Sequence, residues 1–220
     1  MTTQCTPDQY TDEQICAWLR GLLTVAYADG HFDPEEQEFI ASLTQDELIP
    51  NTDLGNLETI TPQELAEVFG DDNSLKENFL RTAVMMAIAN GVYSKSEADT
   101  VHSFQEALGL DLEALKSLEA TLWHPEAEKT GETKHPDVLK PVKNWLDGME
   151  VKDPRVARFL CKMIPSQCPF ERDITLFGKK IVHIPPMCEL NPLYEQMVGL
   201  RFRSLSYLAD DCKEDVTPYI

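Results

Sequence analysis

Apolar positions recur at helical spacing through most of the first 120 residues. Ile15, Leu19, Leu22, Leu23 and Ala26 form one stripe and predict a helix from about Thr11 to Ala28. "TDEQ" opens it as a capping box, with Thr11 as N-cap and Gln14 at the third helical position. The stripe breaks at "DGHF" and resumes in "DPEEQEFIASL". There Asp33 suits the N-cap, Pro34 the first helical position and Glu36 the third. "LIPNTDLGNL" reads as a loop or short turns, and "TPQELAEVF" restarts the pattern with Thr61 as cap and Pro62 at the first position. "NSLKENFLRTAVMMAIAN", "SKSEADTVHSFQEALG" and "DLEALKSLEATL" predict three further helices. The second has Ser94 and Glu97 as a capping box and Gly109 near its C-cap.

The texture changes at "HPEAEKTGETKHPD", which is polar, carries no stripe and contains two His-Pro pairs. This divides the chain into a helical region over 1–122, a linker or surface excursion over 123–137 and a second domain over 138–220. In the second domain "VLKPVKNWLDGM" and "DPRVARFLCKMI" predict helices, the latter with Asp153 as cap and Pro154 at the first position. "ITLFGKKIVHI" reads either as a small hairpin about Gly178 or as an extended wrap. Asn191 and Pro192 are placed to start a final helix through "LYEQMVGLRFRSLSYLADDC". The expected fold is mainly α: a duplicated helical region, then a small helical domain with an irregular or hairpin segment.

The duplication is read at an offset of 61 residues, where "AYADGHFDPEEQEFI" stands over "AIANGVYSKSEADTV". Ala28, Gly30 and Glu36 recur as Ala89, Gly91 and Glu97, while Asn90 replaces Asp29 and Ser94 replaces Asp33. Such paired units bury their apolar faces against each other. The acidic turn has two readings. Asp29, Asp33 and Glu36 turn the chain and cap a helix, or they hold a divalent cation such as Ca, Mg or Zn through hard oxygen ligands. The spacing is not that of the twelve-residue calcium loop. His31 is expected to be exposed.

"LRGLLTVAYADGHFDPEEQEFIASL", echoed by "MMAIANGVYSKSEADTVHSFQEALGL", resembles the TerB-like family named for tellurite-resistance proteins, over about residues 10–120. The resemblance implies an all-helical duplicated unit, a metal-binding acidic site and a place in stress-related complexes. Carried over, that site falls on Asp29, Asp33 and Glu36, with Asn90, Ser94 and Glu97 as a degenerate twin lacking two carboxylates.

Charge sharpens the division. Residues 1–121 carry 23 Asp and Glu against 5 Lys and Arg, and residues 122–220 carry 15 against 14. The acidic half repels nucleic acid and suits either solubility or a basic protein partner. "MTTQCTPDQY" has no basic flank or apolar run, so the expectation is a cytoplasmic protein without a secretory signal or transmembrane segment. Six cysteines in such a chain do not suggest a disulfide framework.

Four of those cysteines, Cys161, Cys168, Cys188 and Cys212, lie in the second domain without a CxxC pair. "IPSQCPFE" and "IPPMCELNP" are similar local frames, and Cys168 precedes proline as some iron-sulfur ligands do. The four are read as core thiols, as a zinc or iron-sulfur centre which His183 could join, or as redox or catalytic thiols. Arg201 and Arg203 stand amid apolar sequence, where arginine covers apolar surface or forks onto a carboxylate. With Arg155, Arg158 and Arg172 they are placed to dock the acidic first region.

The stretch from "MIPSQCPFERDITLFGKKIVHIPPMCELNP" through "LYEQMVGLRFRSLSYLADDCKEDV" resembles the domain known as the C-terminus of Mo-dependent nitrogenase, widespread in cyanobacterial proteins. The resemblance implies a cyanobacterial, cytoplasmic origin. It implies no nitrogenase chemistry, because the chain lacks the cysteine and histidine framework and the size of a molybdenum-iron subunit. No phosphate loop, nucleophile elbow or HExxH motif is present. The expected role is a non-enzymatic interaction, scaffold or regulatory protein linked to divalent ions or metal stress. A zinc or iron-sulfur protein and an enzyme acting on a small ligand are the alternatives.

Overall fold

The computed structural model describes residues 9–28, 58–88, 93–119, 139–164, 172–176, 179–184 and 191–220. Where the sequence supplies caps, helices start on them. Helix α1, Asp12–Ala26, begins behind Thr11, whose hydroxyl accepts from Gln14 N at 3.1 Å while Gln14 Oε1 accepts from Thr11 N at 3.0 Å. The same reciprocal box, Thr61 with Glu64, opens α2, Pro62–Phe69. Asp72 caps α3, Asn73–Ala87, and Ser94 with Glu97 opens α4, Lys95–Ala107. Gly109 (φ +68°) ends α4: its N–H donates to Glu106 O, and Leu110 N–H reaches back to Gln105 O. Helix α5 is Glu113–Glu119 and α6 is Lys140–Asp147. Helix α7, Pro154–Met163, starts on Asp153.

Strands β1, Arg172–Leu176, and β2, Lys179–Ile184, pair antiparallel, with an irregularity in register between Ile174 and Thr175. Residues 177 and 178 between them lie outside the described residues. Helix α8, Tyr194–Ser206, runs directly into a π-helical turn over Tyr207–Asp211. The fold is mainly helical, and among the described residues no helix is long and apolar enough to cross a membrane.

One start differs from the sequence expectation. Helix α8 begins at Tyr194, and its Leu193 cap makes no side-chain hydrogen bond. Asn191 instead accepts from Leu193 N through Oδ1 at 2.9 Å and donates through Nδ2 to Ile88 O at 2.8 Å. A tertiary partner at the end of α3 therefore holds Asn191 just before the helix begins.

The core is organised around aromatic rings. Phe79 makes edge contacts to Trp18, Phe69 and Phe104, with centroids 6.3, 5.6 and 5.2 Å away. Trp18 Nε1–H is satisfied by Thr82 Oγ1 at 2.9 Å. Gly21 lets α1 approach this cluster: an added Cβ would sit 2.6 Å from both Leu65 and Phe79. Leu139, Val142, Leu146, Phe159, Leu160 and Leu200 belong to the same buried cluster as Trp18 and Phe79. Burying such a side chain stabilises the fold by about 1.5–3 kcal/mol, so apolar contact alone binds residues 139–164 and 193–200 to the N-terminal helices.

Candidate functional site

Polar groups cross the same boundary. Asp153 is wholly buried, and its carboxylate accepts from Tyr10 N at 3.2 Å, Arg155 N at 2.9 Å and Arg155 Nη2 at 3.0 Å. Arg155 in turn donates to Asp12 Oδ1 at 2.6 Å and to Tyr10 O at 2.5 Å. Further along, Arg81 donates to Trp145 O at 2.9 Å and lies 5.4 Å from the centre of the Trp145 ring. Burial lowers the Arg81 pKa, and burial raises that of the Tyr10 phenol, which accepts from Asn78 Nδ2 at 3.4 Å. Each partner compensates a buried charge or dipole, which makes this seam structural.

The sequence-read arginines therefore divide. Arg155 docks the acidic first region, through Asp12 and Tyr10. Arg158 pairs within its own segment, with Glu214 at 2.8 Å. Arg201 donates from Nε to Ile164 O at 2.9 Å and from Nη2 to Tyr219 O. Arg203, two residues on, has Nε and Nη2 buried without a hydrogen-bond partner among the described residues. The Arg172 side chain lies outside the described residues.

Arg203 lines a cleft of about 540 Å³ between the α6–α7 connection and the end of α8. Met149, which is buried, and Val151 give it an apolar wall, and Phe202 forms an exposed rim. Asp147, Glu150, Asp210 and Asp211 bring carboxylates to the lining. The π-helical turn shapes this side of the cleft, with Cys212 N–H bonded to Tyr207 O five residues back. Tyr207 ties that turn to the opposite wall by donating to Lys152 O at 2.7 Å. Lys152 pairs with Glu150, and its hydrogen bond lowers the Glu150 pKa.

The other sequence-read sites fare unevenly. Asp29, Asp33, Glu36, Asn90, Cys168 and Cys188 lie outside the described residues, and so does the His183 side chain. Ser94 and Glu97 form the cap of α4: Glu97 Oε2 accepts from Ser94 N at 2.9 Å and Ser94 Oγ from Glu97 N at 3.2 Å. Cys161 is buried in α7, in a small apolar cluster with Leu208 and Tyr219 against which Cys212 packs. Cys16 is a free thiol, whereas Cys212 is disulfide-bonded. Burial raises the Cys16 pKa, which disfavours its thiolate. Among the described residues no group of three or more His, Cys, Asp or Glu side chains could hold a metal ion.

The segment that contains α6, α7, the two strands and α8 matches one known family. Residues 138–220 match the family described as Mo-dependent nitrogenase C-terminus. The whole cleft lining falls within the matched segment; residues 10–120, expected from the sequence to be TerB-like, lie outside it, and no finding supports that expectation. No curated protein and no solved structure matches the chain.

Proposed function

We propose that the protein is a non-enzymatic interaction or regulatory protein. In this reading a duplicated, TerB-like helical region is fused to a Mo-dependent nitrogenase C-terminus segment that presents the contact surface. The observation that carries it is on α8, where Val198 and Phe202 are 42% and 69% exposed one helical turn apart. Two large apolar side chains at this spacing form a continuous ridge, the geometry by which a helix enters a partner's groove. The excess of carboxylates in residues 1–121 favours a partner with a basic surface beside that groove.

The helix bounds support the duplication. Helix α1 spans Asp12–Ala26 and α3 spans Asn73–Ala87, so an offset of 61 carries one onto the other end to end. The same offset carries Trp18 onto Phe79, the pair that meets edge to face in the core.

The test is affinity capture from a cyanobacterial lysate with the wild type and the Val198→Glu/Phe202→Glu variant. A partner held at low salt, released at high salt and missed by the variant is expected. An identical set of proteins on both baits would defeat the reading.

A further inference from the structure

We propose that the cleft at the end of α8 binds a small zwitterion, an α-amino acid, with its carboxylate on Arg203 and its ammonium group among the surrounding carboxylates. This goes beyond the interaction reading and does not depend on it.

Arg203 carries the argument. Nε–H and Nη2–H lie on one edge of the guanidinium, and together they match the two oxygens of a carboxylate. Both are buried here without an acceptor among the described residues, a costly state for a charged donor. Arg201, on the same helix, shows the alternative, since its Nε and Nη2 each reach a backbone carbonyl. Arg203 already lines the cleft, and turning its head into the open space breaks no hydrogen bond at Nε or Nη2. A ligand carboxylate would then supply the missing acceptors.

The rest of the lining restricts what else that ligand carries. Asp147, Glu150, Asp210 and Asp211 are exposed carboxylates around the same space. They oppose a bare anion such as phosphate, and Arg203 opposes a bare cation. A molecule bearing both charges satisfies both walls, while Met149, Val151 and Phe202 offer apolar surface to its carbon skeleton. The volume lies within the range of small-molecule sites and leaves room for a long side chain.

Isothermal titration of the full-length protein with glycine, L-alanine, L-leucine and L-lysine, against acetate, butylamine and inorganic phosphate, tests this. At least one amino acid should bind saturably, and at least tenfold more tightly than acetate, butylamine or phosphate. Arg203→Lys keeps the charge but loses the fork, and should weaken binding at least tenfold with an unchanged melting curve. Asp210→Asn/Asp211→Asn removes carboxylates from the exposed wall without touching Arg203, and should weaken amino-acid binding while strengthening that of acetate. The proposal fails if no amino acid binds saturably, if acetate or phosphate binds as tightly, or if neither variant changes the affinity.

Discussion

The seam against the N-terminal helices and the cleft at the end of α8 use the same residue types to different ends. At the seam Arg155 is surrounded by acceptors: Asp153, Asp12 and the Tyr10 carbonyl. At the cleft Arg203 has two buried donors with none among the described residues, although four carboxylates line the same space. A buried charge whose hydrogen bonds are complete locks two segments together, whereas an incomplete one leaves a position that a ligand can fill. Residues 138–220 thus carry both a structural face and a candidate binding face.

The severest way to break this comparison is to remove the structural face. Leu139, Val142, Leu146, Phe159 and Leu200 share their buried cluster with Trp18 and Phe79, so residues 138–220 expressed alone would expose that surface. The isolated piece should show no cooperative thermal transition and should bind a hydrophobic dye, while the full chain melts sharply. A sharp melt of the isolated piece would show that the seam is an accessory to its folding.

A single substitution should come next in size. Arg155→Met leaves the wholly buried Asp153 carboxylate without its charged partner, a loss of about 3–5 kcal/mol. For a chain of this length that corresponds to a drop of roughly 6–20 °C in Tm. Adding Asp153→Asn, which can still cap α7, should recover part of the loss, because the stranded charge is gone. If the double variant is no more stable than Arg155→Met, the damage comes from lost packing.

Two glycines sharpen the contrast with one and the same change. Gly21→Ala places a Cβ 2.6 Å from Leu65 and Phe79 and should cost about 1–3 kcal/mol. Gly199→Ala, on the cleft-bearing helix α8, meets only Arg203 Nη1 at 3.7 Å and should gain up to about 1 kcal/mol of helix propensity. Thermal melts of the two variants should therefore move in opposite directions, and a shared sign would contradict the packing described at one of them.

What the sequence disclosed follows from range. The capping boxes at Thr11, Thr61 and Ser94 were legible because both partners lie within three residues. Asn191 misled because the group that fixes it, Ile88 O, is 103 residues away. The arginine-rich character of the second domain hinted at docking onto the acidic half, and Arg155 does this. Nothing local distinguished Arg155 from Arg203, since the difference lies in which carbonyls and carboxylates the tertiary fold delivers. The cleft was invisible for the same reason: Asp147 and Glu150 meet Asp210 and Asp211 only through the packing of α6, α7 and α8. The acidic turn at Asp29, Asp33 and Glu36 lies outside the described residues. Elemental analysis of the purified protein addresses it directly: stoichiometric Ca, Mg or Zn lost in Asp33→Asn would assign it a metal.

The smallest expected effect concerns Arg158, whose ion pair stays within the C-terminal segment. Arg158 donates to Glu214 from Nε at 3.0 and 3.1 Å and from Nη2 at 2.8 Å, and Tyr219 adds a bond to the same carboxylate at 3.3 Å. The hydrogen bond from Arg158 chiefly holds the Glu214 pKa below the usual carboxylate range. A depressed folded-state pKa means that this stabilisation is complete above the unfolded-chain value, about 4.3, and is lost as pH falls through the folded-state value. Glu214→Gln should therefore melt below the wild type at pH 7, and the gap should close as pH falls below about 4.3. Solvent reaches both side chains, so the gap at pH 7 should be smaller than that of Arg155→Met, whose partner is sealed from water. A gap that does not narrow at all on acidification would mean that Glu214 acts by shape, leaving Arg158 outside the set of arginines that stabilise through charge.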